Sequence, residues 1–350
     1  MASLLPDTAG MDSHLATAHR ILARAPLIDG HNDLTWVVRE RAGGDVAAYD
    51  LRRRTPGRTD LERLAAGRVR GQFWAAYLAC DAPGSGFDTL LAELALARAI
   101  FAAYPDRFAE ARTADELLEV VAGGRIACLL AVEGGQLLGG SLASVDELAR
   151  LGVRYLTLTH NCTTDWADAA LGEPRHGGLT PFGVRVIERM NSLGMMVDLS
   201  HASVAVMHAA LDVSEAPVIW SHSNARALVD HARNVPDEVL ARVPANGGIV
   251  MATFVPAFVS AGPEATLEQV ADHLDHLRAR MGADHVGLGS DFDGSARVVR
   301  GLEDVATFPA LIAELARRGW SEGDLEKLTG GNILRVLRAA EAAIRKPRTR

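Results

Sequence analysis

Cysteine, lysine and long apolar runs are scarce in this 350-residue chain, and each shortage excludes something. Three cysteines, Cys80, Cys128 and Cys162, are too few and too widely spaced for a disulfide-built scaffold or a thiolate zinc site. Any metal must therefore be held by histidines and carboxylates. No stretch approaches the roughly 20 apolar residues of a membrane helix. The first 25 residues, interrupted by Asp7, Asp12, His14, His19 and Arg20, contain no signal-peptide core. With 36 basic against 44 acidic residues and a net charge of -8, no basic block is large enough to track a phosphate backbone. The expectation is a cytoplasmic protein with neither a membrane nor a nucleic-acid partner, and a homodimer stays open. The basic tail 344–350 carries Pro347 and reads as frayed.

What the chain does have is a regular alternation. Eight short β-rich apolar runs lie at 26–28, 72–78, 126–132, 153–158, 195–199, 217–220, 248–253 and 285–288. Between most of them, helical spacing recurs at 90–104, 182–193, 204–211, 267–281 and 302–318. Eight strands alternating with helices predict a (β/α)8 TIM barrel over residues 1–350 as one α/β domain, with an open doubly wound sheet as the competitor. Residues 39–70, rich in Arg and Gly, predict an extended first βα loop, and 325–344 a closing helix.

Metal-type side chains fall where such a barrel builds its active site. His31 and Asp33 follow the first run, Glu133 the third, His160 the fourth, His201 the fifth, His222 the sixth and Asp291 the eighth. All are at carboxyl ends of predicted strands. His31, Asp33, Glu133, His201 and His222 supply three imidazoles and two carboxylates, a set suited to zinc. Five ligands serve two metals better than one if a carboxylate bridges. Related binuclear barrels often bridge with a carboxylated lysine, but the two lysines here, Lys327 and Lys346, are both in the C-terminal segment. Glu133 is the bridge that remains.

Other features carry bland readings. His273 and His276, three apart on a predicted helix with acidic neighbours, read as a solvated face. Gly287-Leu288-Gly289 lacks the spacing of a phosphate loop, and Asp291-Phe292-Asp293-Gly294 lacks the later ligands of a calcium loop. Trp36, Trp74, Trp166 and Trp220 suit pocket walls or core equally well.

Several stretches resemble the membrane (renal) dipeptidase family of zinc peptidases. They are Leu27-Ile28-Asp29-Gly30-His31-Asn32-Asp33-Leu34, Val132-Glu133-Gly134-Gly135, Arg154-Tyr155-Leu156-Thr157-Leu158-Thr159-His160-Asn161 and Val197-Asp198-Leu199-Ser200-His201. Pro217-Val218-Ile219-Trp220-Ser221-His222-Ser223, Arg233-Asn234-Val235-Pro236-Asp237 and Asp291-Phe292-Asp293-Gly294 follow in order. The resemblance implies two zinc ions per chain, one on His31 and Asp33, one on His201 and His222, with Glu133 between them. It also implies that His160 and Arg233 contact a dipeptide substrate and that Asp291 handles protons. Substrates with a D-configured second residue, and carbapenem lactams, are implied too.

Two departures stand out. Where the family often has a tyrosine beyond the seventh strand, this chain has Phe258, which removes a hydroxyl contact to substrate. The signal peptide and C-terminal anchor signal of membrane-attached members are not found. Cys80 and Cys162 match positions bridged in secreted relatives, yet a reducing cytoplasm makes free thiols the expectation. The expected chemistry is attack by a metal-bridging hydroxide, two cations lowering the pKa of water from about 15.7 toward roughly 7. The rivals are another binuclear amidohydrolase, cleaving cyclic amides, lactams or lactones, and a metal-binding barrel without turnover.

Overall fold

The computed structural model describes residues 8–80 and 86–344, so the basic tail beyond Ile344 lies outside the described residues. Eight parallel strands follow one another around a barrel: β1 (Leu27–Asn32), β2 (Val69–Tyr77), β3 (Ile126–Glu133), β4 (Val153–Thr157), β5 (Met196–Asp198), β6 (Ile219–Trp220), β7 (Ile249–Ala252) and β8 (Val286–Leu288). All eight coincide with the predicted runs. A three-residue strand, Phe108–Glu110, pairs with β3 outside this path and was not foreseen.

Strand alternation sorts the apolar residues into two cores. Ile28, Phe73, Leu129, Tyr155, Ile219 and Met251 fill the bore. Their neighbours Leu27, Trp74, Leu130, Leu156, Trp220 and Val250 face the surrounding helices. Closure between β8 and β1 runs through the residues that follow the strands: Asn32 pairs with Phe292, and the Asp33 amide donates to the Phe292 carbonyl at 3.0 Å. Below that seam the buried Asp29 carboxylate accepts both the Ser290 amide, at 2.8 Å, and the Ser290 hydroxyl, at 2.6 Å. The two glycines of Gly287-Leu288-Gly289 are there for space. A Cβ on Gly289 would lie 1.7 Å from the Ser221 carbonyl oxygen, and one on Gly287 would lie 2.7 Å from the Met251 side chain.

Helices Phe87–Ala103, Pro181–Ser192, Val204–Val213, Leu267–Met281 and Phe308–Arg317 cover the sheet where helical spacing was read. The predicted first loop, 39–70, contains helix Leu61–Ala66, and the closing helix is Asn332–Ala342. Helix Thr8–Arg24 precedes the barrel, unforeseen, and packs on helix Phe308–Arg317. Among the described residues, no helix is long and apolar enough to cross a membrane.

Candidate metal centre

The same alternation that fills the bore delivers the site. In β3, Ala127, Leu129 and Ala131 point inward, and Glu133, next in that series, ends the strand inside the barrel mouth with 4% exposure. β1 loses register between Asp29 and Asn32, which lets His31 face the bore as well. His201 and His222 sit three and two residues beyond β5 and β6. Both His201 and Asp291 hold a left-handed backbone, with φ of 65° and 62°, a conformation that costs free energy in non-glycine residues and clusters at functional sites.

All five predicted ligands converge. Glu133 Oε1 lies 3.0 Å from His201 Nε2 and 3.4 Å from His222 Nε2, while Oε2 lies 3.6 Å from His31 Nε2. Asp33 Oδ2 is 3.6 Å from the same His31 nitrogen. Each imidazole is held by its other nitrogen: His31 Nδ1 by the Tyr155 hydroxyl at 2.8 Å, His201 Nδ1 by Asn161 Oδ1 at 2.9 Å, His222 Nδ1 by the Ser221 hydroxyl at 2.8 Å. Behind Ser221 stands buried Asp198, which accepts the Ser221 hydroxyl at 2.7 Å and that of Thr157 at 2.6 Å. Three Nε2 atoms therefore meet in one space with two carboxylates.

These residues fit divalent cations, and the test lies in their unmet bonding. His201 Nε2 and His222 Nε2 face each other at 3.0 Å; with protons committed to Nδ1, they present two lone pairs to one another. His31 Nε2 and Asp33 Oδ1 are buried with no hydrogen-bond partner among the described residues, an arrangement that costs free energy unless something electrophilic completes it. Burial, with Arg233 near His201 and His31 near His222, holds both imidazoles well below the ordinary range, hence neutral. Burial alone would lift the Glu133 carboxyl, but the imidazoles of His31, His201 and His222 around it outweigh that and hold it well below the usual range.

A cleft of about 290 Å³ opens over this centre, with Asp33, Glu133, His160, His201 and Asp291 on its floor and Trp36, Tyr77, Val255 and Phe258 in its walls. His160 lies between Tyr77 and His201, its ring tilted against both with centres 4.7 and 4.3 Å from theirs. Asp291 comes closer to the ligands than a proton carrier must: one of its oxygens lies within 4.8 Å of ligand atoms of both His31 and Asp33. Burial and the Asp33 carboxylate push its carboxyl well above the usual range. Arg233 is not among the residues lining the cleft. It is buried behind Phe258, its guanidinium 5.2 Å from the ring centre.

Two expectations are corrected. Cys80 and Cys162 form a disulfide, with Cα atoms 6.1 Å apart, and only Cys128 is a free thiol. The bridge joins residues beyond β2 and β4, which the barrel brings together on its carboxyl face. His273 is not on a solvated face: it is 1% exposed, accepting from the Ala225 amide through Nδ1 and donating to the Val259 carbonyl through Nε2. His276 does keep the surface role, paired with Asp237. Of the tryptophans, Trp36 lines the cleft, and Trp74, Trp166 and Trp220 are core. Tyr155, Asn161 and Ser221, the three partners of the ring nitrogens, were not singled out from sequence, because nothing in local spacing marks them.

A parallel barrel with a His and carboxylate cluster at the carboxyl ends of its strands defines a metal-dependent hydrolase. The chain belongs to the membrane dipeptidase family (peptidase family M19), whose model matches residues 15–350. It is 43% identical over 343 residues to dipeptidase verJ of Clonostachys rogersoniana, covering 95% of this chain and 88% of that protein. With dipeptidase 3 of Mus musculus it shares 44% over 322 residues, 90% of this chain and 64% of the longer relative. Among solved structures it resembles dipeptidase AC, a metallopeptidase, with a TM-score of 0.83 and 30% identity over 90% of this chain and 98% of that one. A metallopeptidase from Rhodobacter sphaeroides, solved with a phosphinate mimic of L-Ala-D-Ala, gives a TM-score of 0.81 at 29% identity over 90% and 99% of the two chains. The activity class is accordingly that of a metal-dependent dipeptidase.

Proposed function

We propose that this dipeptidase works with two zinc ions, one held by His31 and Asp33, the other by His201 and His222, with Glu133 shared, and that its substrates include dipeptides with a D-configured second residue. The division of Glu133 carries the reading: its two oxygens face different histidines, one the His201 and His222 pair and the other His31. A carboxylate so placed could be shared by two cations, one at each oxygen. When bound, such a pair of ions polarises the scissile carbonyl and acidifies a water from about 15.7 toward roughly 7. The inclusion of L,D dipeptides draws on the mimic bound by the Rhodobacter sphaeroides relative.

The remaining steps belong to the protein. His160, kept neutral by burial despite Glu133 nearby, has its ring on the cleft floor where it can donate to the oxygen that gains charge in the tetrahedral step. Asp291 takes the proton of the attacking water and delivers it to the leaving amine. Arg233 holds the free carboxylate of the substrate, and Phe258 covers that guanidinium without adding a hydroxyl contact. The Cys80–Cys162 bridge supports an oxidising compartment over the cytoplasm.

Metal analysis together with turnover of L,L and L,D dipeptides tests the reading, using Glu133→Gln as the decisive variant. Removing the one charge both cations share should release metal from both sites and abolish turnover. A variant that kept two tightly bound equivalents and normal turnover would refute the bridge.

A further inference from the structure

We infer that Tyr155 is the positioning residue of His31: its hydroxyl fixes which ring nitrogen is left bare for a metal, a role that rests on the two-metal reading above. Tyr155 lies on β4 and His31 on β1, three strands around the barrel. The phenol is fully buried in the bore, with its ring packed on Phe73 at 5.2 Å. Two groups meet the hydroxyl: the Gly30 carbonyl at 3.1 Å and His31 Nδ1 at 2.8 Å.

A phenol has one proton, and the Gly30 carbonyl can only accept. The proton therefore goes to Gly30, and the second contact must be a bond from His31 Nδ1–H to the phenol oxygen. With its Nδ1–H spent on the phenol oxygen, His31 leaves Nε2, which faces Asp33 and Glu133 and has no hydrogen-bond partner among the described residues, as the nitrogen it would offer a metal. Asn161 and Ser221 do the corresponding work for His201 and His222. Tyr155 alone serves His31, so its loss should strike one metal and spare the other.

Tyr155→Phe keeps the ring and removes the oxygen. Chelator competition with zinc should show one equivalent bound as in the wild type and the other weakened on the order of 10–100-fold, the usual effect of losing such a partner. Excess zinc should restore kcat, with KM little changed. A merely structural role would lower the thermal midpoint and leave both affinities alone, and that result would overturn the inference. If Tyr155→Phe does not fold, nitrogen-15 spectra of zinc-loaded wild type with labelled histidine decide the matter. The expected state of His31 is Nδ1 protonated and Nε2 bound; protonated Nε2 would overturn it. A wild type that binds a single zinc would defeat the two-metal reading instead, and the His31 tautomer would still decide the role of Tyr155.

Discussion

Arg233 shows how burial changes what one residue can do. A lone arginine reads from sequence as a surface group, yet this one is 1% exposed. Its two terminal nitrogens make only long bonds, to the Ser223 hydroxyl at 3.3 Å and the His222 carbonyl at 3.2 Å, and its Nε has no partner among the described residues. Burial lowers its pKa to about 10, against the pull of Asp291 and Glu133, so it stays charged at neutral pH. A buried cation with unspent donors suits a bidentate carboxylate. Arg233→Ala is expected to lower kcat/KM for dipeptides by about 2–5 kcal/mol of transition-state binding. Dipeptide amides, which lack that carboxylate, should be poor substrates for both forms and lose little more. Equal losses on acid and amide would leave Arg233 as a prop for Phe258. The metal ligands were legible because strand ends announce them: His31, Glu133, His201 and His222 each close an apolar run. Their partners were not, since Tyr155 contacts His31 across 124 positions of sequence and only the closed barrel brings the two together.

Whole elements were easier to read than their faces. Helix Leu267–Met281 has the predicted bounds, and the reason is visible at its start: Thr266 and Gln269 form a reciprocal capping box. What spacing could not show is that His273 on this helix enters the core and ties together the segments after β6 and β7 through Ala225 and Val259. Burial lowers its pKa to about 4, against opposing effects from the Val259 carbonyl and Asp272. The folded protein thus refuses a proton that the unfolded chain accepts at about 6.5. Stability from this group is intact above pH 6.5, declines as pH falls toward 4 and levels off below it. At about 1.4 kcal/mol per pH unit the full loss is roughly 3 kcal/mol. Denaturant unfolding of wild type and His273→Gln at pH 7 and pH 4.5 isolates this part from acid release of metal, which affects both. The glutamine variant should show the shallower decline, and identical declines would refute the assignment.

At the scale of the molecule, eight strands were countable in the sequence, but how the barrel is fastened was not. Its β8 to β1 seam depends on Asp29 and Ser290, which are 261 positions apart, and its carboxyl face on a disulfide that spacing alone could neither propose nor exclude. Cys80 and Cys162 lie 82 positions apart in sequence, with β3 and Glu133 between them. In the chain-entropy account, closing a loop of that length removes about 4.5 kcal/mol worth of freedom from the unfolded state. The paired variant Cys80→Ser with Cys162→Ser should therefore unfold at lower denaturant, by up to about that amount. Strand pairing, unlike the bridge, is present in both forms, so the barrel should still assemble and far-ultraviolet dichroism should match the wild type. Thiol titration gives a separate check on the wild type. Denatured without reductant, it should expose one reactive group, Cys128, and three once reduced; three before reduction would mean that the bridge does not form.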